Sequence, residues 1–398
     1  MTHRPVLPTT LPVVLPHDLR VADEFADVAR RAWTTAAAKV AALTDDHPDA
    51  FPLYTDGGRW VVDGEAWTNW CEGFLGGQLW MLSHRAPDVA ARERFRAQAE
   101  HYSALIEHRA TDATVHDLGF LFWSTYRRWY ELTGDPRLDD VLVTAGRTTA
   151  GRYRPAGRYM PSFRRPDSLF VDIMMNIHMA FYAAQRTGDD RLAEVAVEHC
   201  LTTRRHLVRG DGSASHEGMF DLDTGAFLRQ TTQQGFADDG SWARGQAWAL
   251  YGFGTVYRFT GDRRFLRTAE ACADFYLERT RDALIPPNDW AEPDPPRPWE
   301  SSAAAAAAGG LWQLAGLVDD AARAHAYADH AVRTIVALGS TEFLAQPDEA
   351  WAGVLKHGVY HERKNLGVDE SVMWGDYWFL DTVDTIQRFV EGVGRPVA

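Results

Sequence analysis

Apolar residues recur at helical spacing along almost the whole chain, and short polar stretches separate the runs. The spacing predicts helices over 18–43, 67–82, 88–108, 118–132, 136–151, 169–187, 191–207, 241–260, 263–281, 300–316, 319–338 and 371–391. Three segments break the pattern. Residues 51–64 read as an irregular loop or a short strand pair, and 209–240 as a long polar segment with short strands around 219–228. Residues 285–299, IPPNDWAEPDPPRPW, form a proline-rich loop. The run WTNWCEGFLGGQLWML (67–82) is apolar but dotted with glycine, which weakens a helix yet lets backbones and ligands come close.

A weak repeat supports this count. ELTGDPRL (131–138), QRTGDDRL (185–192) and RFTGDRRF (258–265) each end one helix at Thr-Gly and begin the next at Asp. Gly134, Gly188 and Gly261 suit a left-handed C-cap, and Asp135, Asp189 and Asp262 suit an N-cap. APDVAARERF (86–95) and GLVDDAARAH (316–325) are degenerate copies. The reading is therefore all-α: about twelve helices in about six hairpins of roughly fifty to seventy residues. Inner helices are apolar and aromatic, whereas outer ones such as 88–108 carry Arg, Glu and Gln. Such a chain forms either an open solenoid or an (α/α)6 barrel, a toroid closed on itself. The strongly aromatic last helix, SVMWGDYWFLDTVDTI, favours closure, because an open solenoid ends in a polar cap. One domain over 18–398 is expected. Residues 1–17, interrupted by Pro5, Pro8, Pro12 and Pro16, form a disordered or extended arm on its outside.

Composition narrows the function. The chain has 398 residues and a net charge of −14, so nucleic acid and anionic membranes are poor partners. An anionic substrate needs a local cationic site. The 15 tryptophans suit stacking on sugars as well as core packing. Cys71, Cys200 and Cys272 are too far apart in sequence for a disulfide framework or metal spacing, and they fit a reducing, cytoplasmic setting. No run approaches the apolar length of a membrane span.

In a toroid the loops at one end of the inner helices meet over a central funnel. The segments that fail to read as plain helix are placed there. Among them are DATVHDLGF (112–120), RPDSLFVDIMMN (165–176), SASHEGMFD (213–221), TTQQGFADDGSWARGQ (231–246) and KHGVYHERKNLGVDES (356–371). In the stretch 231–248, Asp238 and Asp239 suit the positive end of a helix dipole and Ser241 suits an N-cap. Arg244, early on that helix between Trp242 and Trp248, suits an anionic ring-shaped ligand, or else simply pairs with a neighbouring Asp. Asp172 stands in an apolar run, where a carboxyl either has a partner or keeps its proton, as acid catalysis at neutral pH requires. Asp117, in HDLGF, is a second candidate acid or an N-cap, and His216 a loop or core histidine. Lys356, His357, His361, Arg363 and Lys364 form either a solvated loop or a clamp for carboxylates or sulfates.

HDLGF, VDIMMN, QQGFADDGSWARGQAW, ESSAAAAAAGGLW, LKHGVYHE and GVDESVMWGDYWFL stand in an order that resembles the unsaturated glucuronyl hydrolases, glycoside hydrolase family 88. The resemblance runs from about Trp67 to Leu380. It implies an (α/α)6 barrel, no metal or organic cofactor, and removal of a 4,5-unsaturated uronic acid from the non-reducing end of lyase-generated oligosaccharides. It further implies that Asp172 protonates carbon 4 and Asp117 arranges substrate and tunes Asp172. Trp70, His216, Gln234, Trp242, Arg244 and Trp248 match positions that line the uronate site. The chain departs from the family at Gln233, where His is frequent, at Phe236, where Tyr is, and at Gly240, where Ser is. Neighbouring readings are an unsaturated rhamnogalacturonyl hydrolase, an ordinary inverting glycosidase and a non-catalytic carbohydrate-binding toroid.

Overall fold

The computed structural model describes residues 10–63, 67–293 and 298–393. Its helices are α1 (Glu24–Asp46), α2 (Glu72–Arg85), α3 (Val89–Leu105), α4 (Leu118–Phe122), α5 (Tyr126–Thr133), α6 (Pro136–Gly151) and α7 (His178–Thr187). They continue with α8 (Asp190–Leu207), α9 (Ala243–Thr260), α10 (Arg263–Arg279), α11 (Ser301–Ala315), α12 (Ala321–Leu338) and α13 (Met373–Val390). Helices α2, α4–α5, α7, α9, α11 and α13 pack side by side in that order, and α13 packs back on α2. The ring is closed. Helices α1, α3, α6, α8, α10 and α12 form the outer layer, so the fold is an (α/α)6 barrel.

The sequence explains which helices lie inside. Every residue of α11, SSAAAAAAGGLWQLA, is buried, and its small side chains let α9 and α13 approach on two sides. Outer α3 buries only Phe95, Ala99, Tyr102 and Ser103. The repeated turns are built as their residues dictate. Gly134, Gly188 and Gly261 close their helices at φ of 66°, 69° and 65°, and Asp135, Asp189 and Asp262 each accept from the amide two residues on. Asp88 and Asp320 cap the degenerate copies.

Three elements differ from the helical spacing. The inner helix expected over 118–132 is interrupted between α4 and α5. There Ser124 Oγ donates to Phe120 O and Gly73 O, and Thr125 Oγ1 donates to Leu121 O, so hydroxyls compete for the helix carbonyls. Residues 169–187 are not one helix. They run as strand β3 (Ser168–Phe170), a 3-10 turn over 171–175 and then α7, because β3 pairs with a neighbouring strand and Val171 N–H bonds His216 O. Ser241 is not an N-cap. Helix α9 starts at Ala243 after an extended Trp242, and Ser241 Oγ bonds Gln246 Oε1 and Ala214 O instead.

The short strands all serve the loops. β1 (Thr55–Asp56) pairs with β2 (Arg59–Trp60), so of the two readings of 51–64 the short strand pair holds over the irregular loop. β3, β4 (Glu217–Phe220) and β5 (Phe227–Thr231) form an antiparallel sheet, and β6 (Gly358–His361) pairs with β7 (Leu366–Glu370). Residues 10–17 hold no helix or strand and run past the other end of the barrel. Leu11 exchanges hydrogen bonds with Arg258 near the end of α9, and Val14 N–H bonds Gly316 O after α11. The remaining residues of the expected arm, 1–9, lie outside the described residues.

Candidate active site

Two motifs far apart in sequence are stapled together by one side chain. Asn176 Oδ1 accepts from Phe120 N–H at 2.8 Å, and its Nδ2 donates to Asp172 O at 3.1 Å. Gly119 makes this contact feasible, since a Cβ there would lie 2.7 Å from Asn176 Cα. HDLGF and VDIMMN therefore meet, and they bring Asp117 and Asp172 to one pocket of about 200 Å³. Asp117 occupies the N-cap position of α4, yet its side chain makes no capping hydrogen bond, which removes the structural role weighed for it.

Asp117 is buried and Asp172 largely so, with 6% and 13% of their side chains exposed. Burial, and secondly the charge of Asp172, pushes the Asp117 carboxyl up to about 8. Burial raises Asp172 to about 7, against the pull of Arg244. A histidine attends each. His116 Nδ1 accepts from Phe163 N–H at 3.0 Å, so in the neutral ring the proton sits on Nε2, which lies 3.2 Å from Asp117 Oδ1. His216 Nδ1 accepts from Gln233 N–H at 3.1 Å and Gln234 N–H at 3.3 Å. Its Nε2–H then faces Asp172 Oδ2 at 3.6 Å, too far for a hydrogen bond. Neither of those two atoms has a hydrogen-bond partner among the described residues. Burial holds both imidazoles well below their ordinary range, which keeps them neutral.

Arg244 is 1% exposed and lines the same pocket. Its guanidinium donates to Val359 O at 2.6 Å, Tyr360 O at 3.0 Å and Gln234 Oε1 at 2.8 Å. It stands 3.4 Å from the Glu300 carboxylate and lies over the Trp242 and Trp374 rings at 4.3 and 5.0 Å. Its charge partner is therefore a distant Glu and not the neighbouring Asp pair. Asp238 instead accepts from Thr231 Oγ1 and Thr232 N–H. The loop before α9 is held by Asp289, which accepts from the amides of Phe236, Ser241 and Ala291. A Cβ at Gly240 would come within 2.8 Å of that carboxylate, so the glycine suits the position Asp289 takes here.

Of the residues singled out in the sequence, Asp117, Asp172, Trp70, Gln234 and Arg244 line the pocket. His216 and Trp242 lie behind that lining, their rings in tilted contact with centroids 4.6 Å apart. Trp248 does not reach the pocket: its ring packs between Phe120 and Trp378 in the barrel core, because α9 turns it inward one helical turn below Arg244. The basic cluster divides. His361 and Lys364 line the pocket, with Lys364 over the Trp67 ring. Lys356 pairs with Glu349 and His357 with Asp369. Asn176, Glu300 and His116 carry site geometry that the residue-by-residue reading did not assign. Among the described residues, no cluster of His, Cys, Asp and Glu has the arrangement of a metal site.

Comparison with known proteins gives a consistent picture. The profile described as Glycosyl Hydrolase Family 88 matches residues 55–284. An unsaturated glucuronyl hydrolase of Bacillus sp. (strain GL1) is 32% identical over 357 residues, covering 86% of this chain and 93% of that relative. An unsaturated chondroitin disaccharide hydrolase of Streptococcus agalactiae is 30% identical, over 81% of this chain and 82% of its own length. The crystal structure of unsaturated glucuronyl hydrolase from Bacillus sp. GL1 superposes with a TM-score of 0.84 at 29% identity, covering 92% of this chain and 97% of that one. A mutant unsaturated glucuronyl hydrolase from S. agalactiae complexed with dGlcA-GalNAc6S superposes with a TM-score of 0.74 at 25% identity, covering 95% and 97%. The chain belongs to Glycosyl Hydrolase Family 88 and is a glycoside hydrolase.

Proposed function

We propose that this protein removes a 4,5-unsaturated uronic acid from the non-reducing end of oligosaccharides left by polysaccharide lyases. The observation that carries the reading is the pair of buried carboxyls, Asp117 and Asp172, raised to about 8 and about 7 in one pocket with Arg244. Such a pair holds a proton at neutral pH. Unsaturated uronides have a vinyl ether, and a carboxylic acid can protonate its carbon 4.

Asp172 is the donor in this scheme. It is the more exposed of the two, and Asp117 is already engaged by His116. Proton transfer from Asp172 to carbon 4 builds positive charge on carbon 5 and the ring oxygen. Water adds at carbon 5, and the Asp172 carboxylate takes its proton, which restores the acid. The hemiketal opens to a ketone at carbon 5, leaving a hemiacetal at carbon 1 that expels the next sugar. Asp117 orients substrate and keeps the proton affinity of Asp172 high. His216 Nε2–H is placed to bond Asp172 once that carboxyl becomes anionic. The Trp70 ring and the cations of Arg244 and Lys364 suit a flat, negatively charged sugar. The free, buried Cys71, Cys200 and Cys272 support a reducing, cytoplasmic setting.

The test is incubation with lyase-generated disaccharides from chondroitin, hyaluronan, heparin and pectin, following loss of vinyl ether absorbance. In heavy water the product should carry deuterium at carbon 4. Asp172→Asn should lose about 10²–10⁴ in kcat while still binding substrate. Release of a saturated glucuronide without loss of absorbance would point instead to ordinary glycoside displacement.

A further inference from the structure

A second cavity, of about 450 Å³, lies inside the barrel at the end away from the catalytic pocket. Phe120 separates the two: it lines this chamber, and its ring packs 5.5 Å from that of Trp70 in the pocket above. Thr10 of the N-terminal segment contributes to the chamber wall.

The charges around this chamber do not balance. Arg127, Arg128 and Arg258 line it, and so do Glu131 and Asp381. Both carboxylates are taken, Glu131 by Arg127 and Asp381 by Arg128. Among the described residues Arg258 has only neutral acceptors: Leu11 O at 3.0 Å and Gln313 Oε1 at 3.3 Å. No carboxylate among the described residues pairs with it. Residues 1–9, MTHRPVLPT, contain no Asp or Glu that could do so. Two more groups in the wall carry unused hydrogen-bonding capacity. His178 and Trp378 are 6% and 8% exposed, and among the described residues His178 Nε2 and Trp378 Nε1 have no hydrogen-bond partner. Burial keeps His178 neutral, with its ring pushed down to about 3, so it adds no charge.

An enclosed cation without a counter-ion is costly. A guanidinium presents a planar fork that matches two oxygens of one anion. We propose that this chamber is a binding site for a compact oxyanion, held by Arg258 at the foot of the barrel and distinct from the catalytic pocket. The chemistry is common to phosphate, sulfate and the carboxylate of a sugar acid. An anion there supplies the missing counter-charge beside the point where Arg258 fastens Leu11, so occupancy also tightens the N-terminal segment onto the barrel.

The test uses the full chain in chloride buffer. Phosphate, sulfate and glucuronate are each titrated at matched ionic strength, by calorimetry and by thermal unfolding. At least one of them should bind saturably and raise Tm by several degrees, and the one that does names the source. Two variants locate the site. Arg258→Gln removes the cation, whereas Gln313→Glu leaves it in place and supplies a carboxylate within the fold. Each should weaken oxyanion binding at least tenfold while keeping turnover of unsaturated disaccharide within about twofold of wild type. Asp172→Asn should bind the oxyanion as wild type does. Absence of saturable binding by all three anions would overturn the proposal. So would binding unchanged in both chamber variants, or binding lost in Asp172→Asn.

Discussion

A carboxyl kept protonated by burial costs stability as soon as the unfolded chain can ionise. Asp117 and Asp172 have folded values near 8 and 7, above the unfolded value of about 3.9. Below about pH 4 both states hold the protons and there is no penalty. Between there and the folded values the folded protein binds more protons, so stability falls as pH rises. Asp117→Asn and Asp172→Asn should therefore be more stable than wild type at pH 8, by roughly 5 and 4 kcal/mol, and nearly equal to it at pH 4. Urea unfolding at the two pH values measures this without any substrate, and equal stability at pH 8 would show that the carboxyls are not held protonated. The same proton gives kcat/KM a descending limb above about pH 7, as Asp172 ionises. Asp172 was legible in the sequence because a charge in an apolar run is conspicuous. His116, Asn176 and Glu300 were not, because their meaning lies in distant partners. Asn176 meets Phe120 across 56 residues, and Glu300 meets the Val359 amide across 59.

Elements set the distance between the two acids. Helix α4 and the 3-10 turn over 171–175 touch at Gly119 and Asn176. Gly119→Ala must push them apart against backbone, and a displacement of about 1 Å is enough to lose about 10²-fold in kcat. Helical content by circular dichroism should stay unchanged, and a native kcat would mean that the spacing does not matter. Arg244 joins the start of α9, the cap of α11 and strand β6. Arg244→Ala leaves the 0% exposed Glu300 without its cation, so the variant should lose about 3–5 kcal/mol of stability in addition to activity. Adding Glu300→Gln to it should recover much of the stability but not the activity. Recovery of both, or of neither, would show that Arg244 and Glu300 do not act as an ion pair. Sequence periodicity located the inner and outer helices well because their caps are local: a Gly whose N–H bonds the carbonyl four residues back, and an Asp that accepts from the amide two residues on. It misread 169–175, where pairing with β4 outweighs a helical pattern, and α4–α5, where two hydroxyls break a helix from within.

At the scale of the whole molecule, closure was legible from one clue, the aromatic last helix, because Trp374, Tyr377 and Trp378 need an apolar partner. They find it in α2 and its neighbours: Phe74 packs on Tyr377 at 4.9 Å and Trp70 on Trp374 at 4.7 Å. That seam joins the first inner helix to the last, which has a consequence for biosynthesis. The Gly-rich apolar face of α2 leaves the ribosome roughly 290 residues ahead of its partner, on the order of 15–60 s earlier at about 5–20 residues per second. Through that interval five-sixths of the ring exists with both of its edges open. A nascent chain stalled or truncated before Met373 should therefore be captured by chaperones or precipitate, whereas release of the final helix should make it soluble in a single late step.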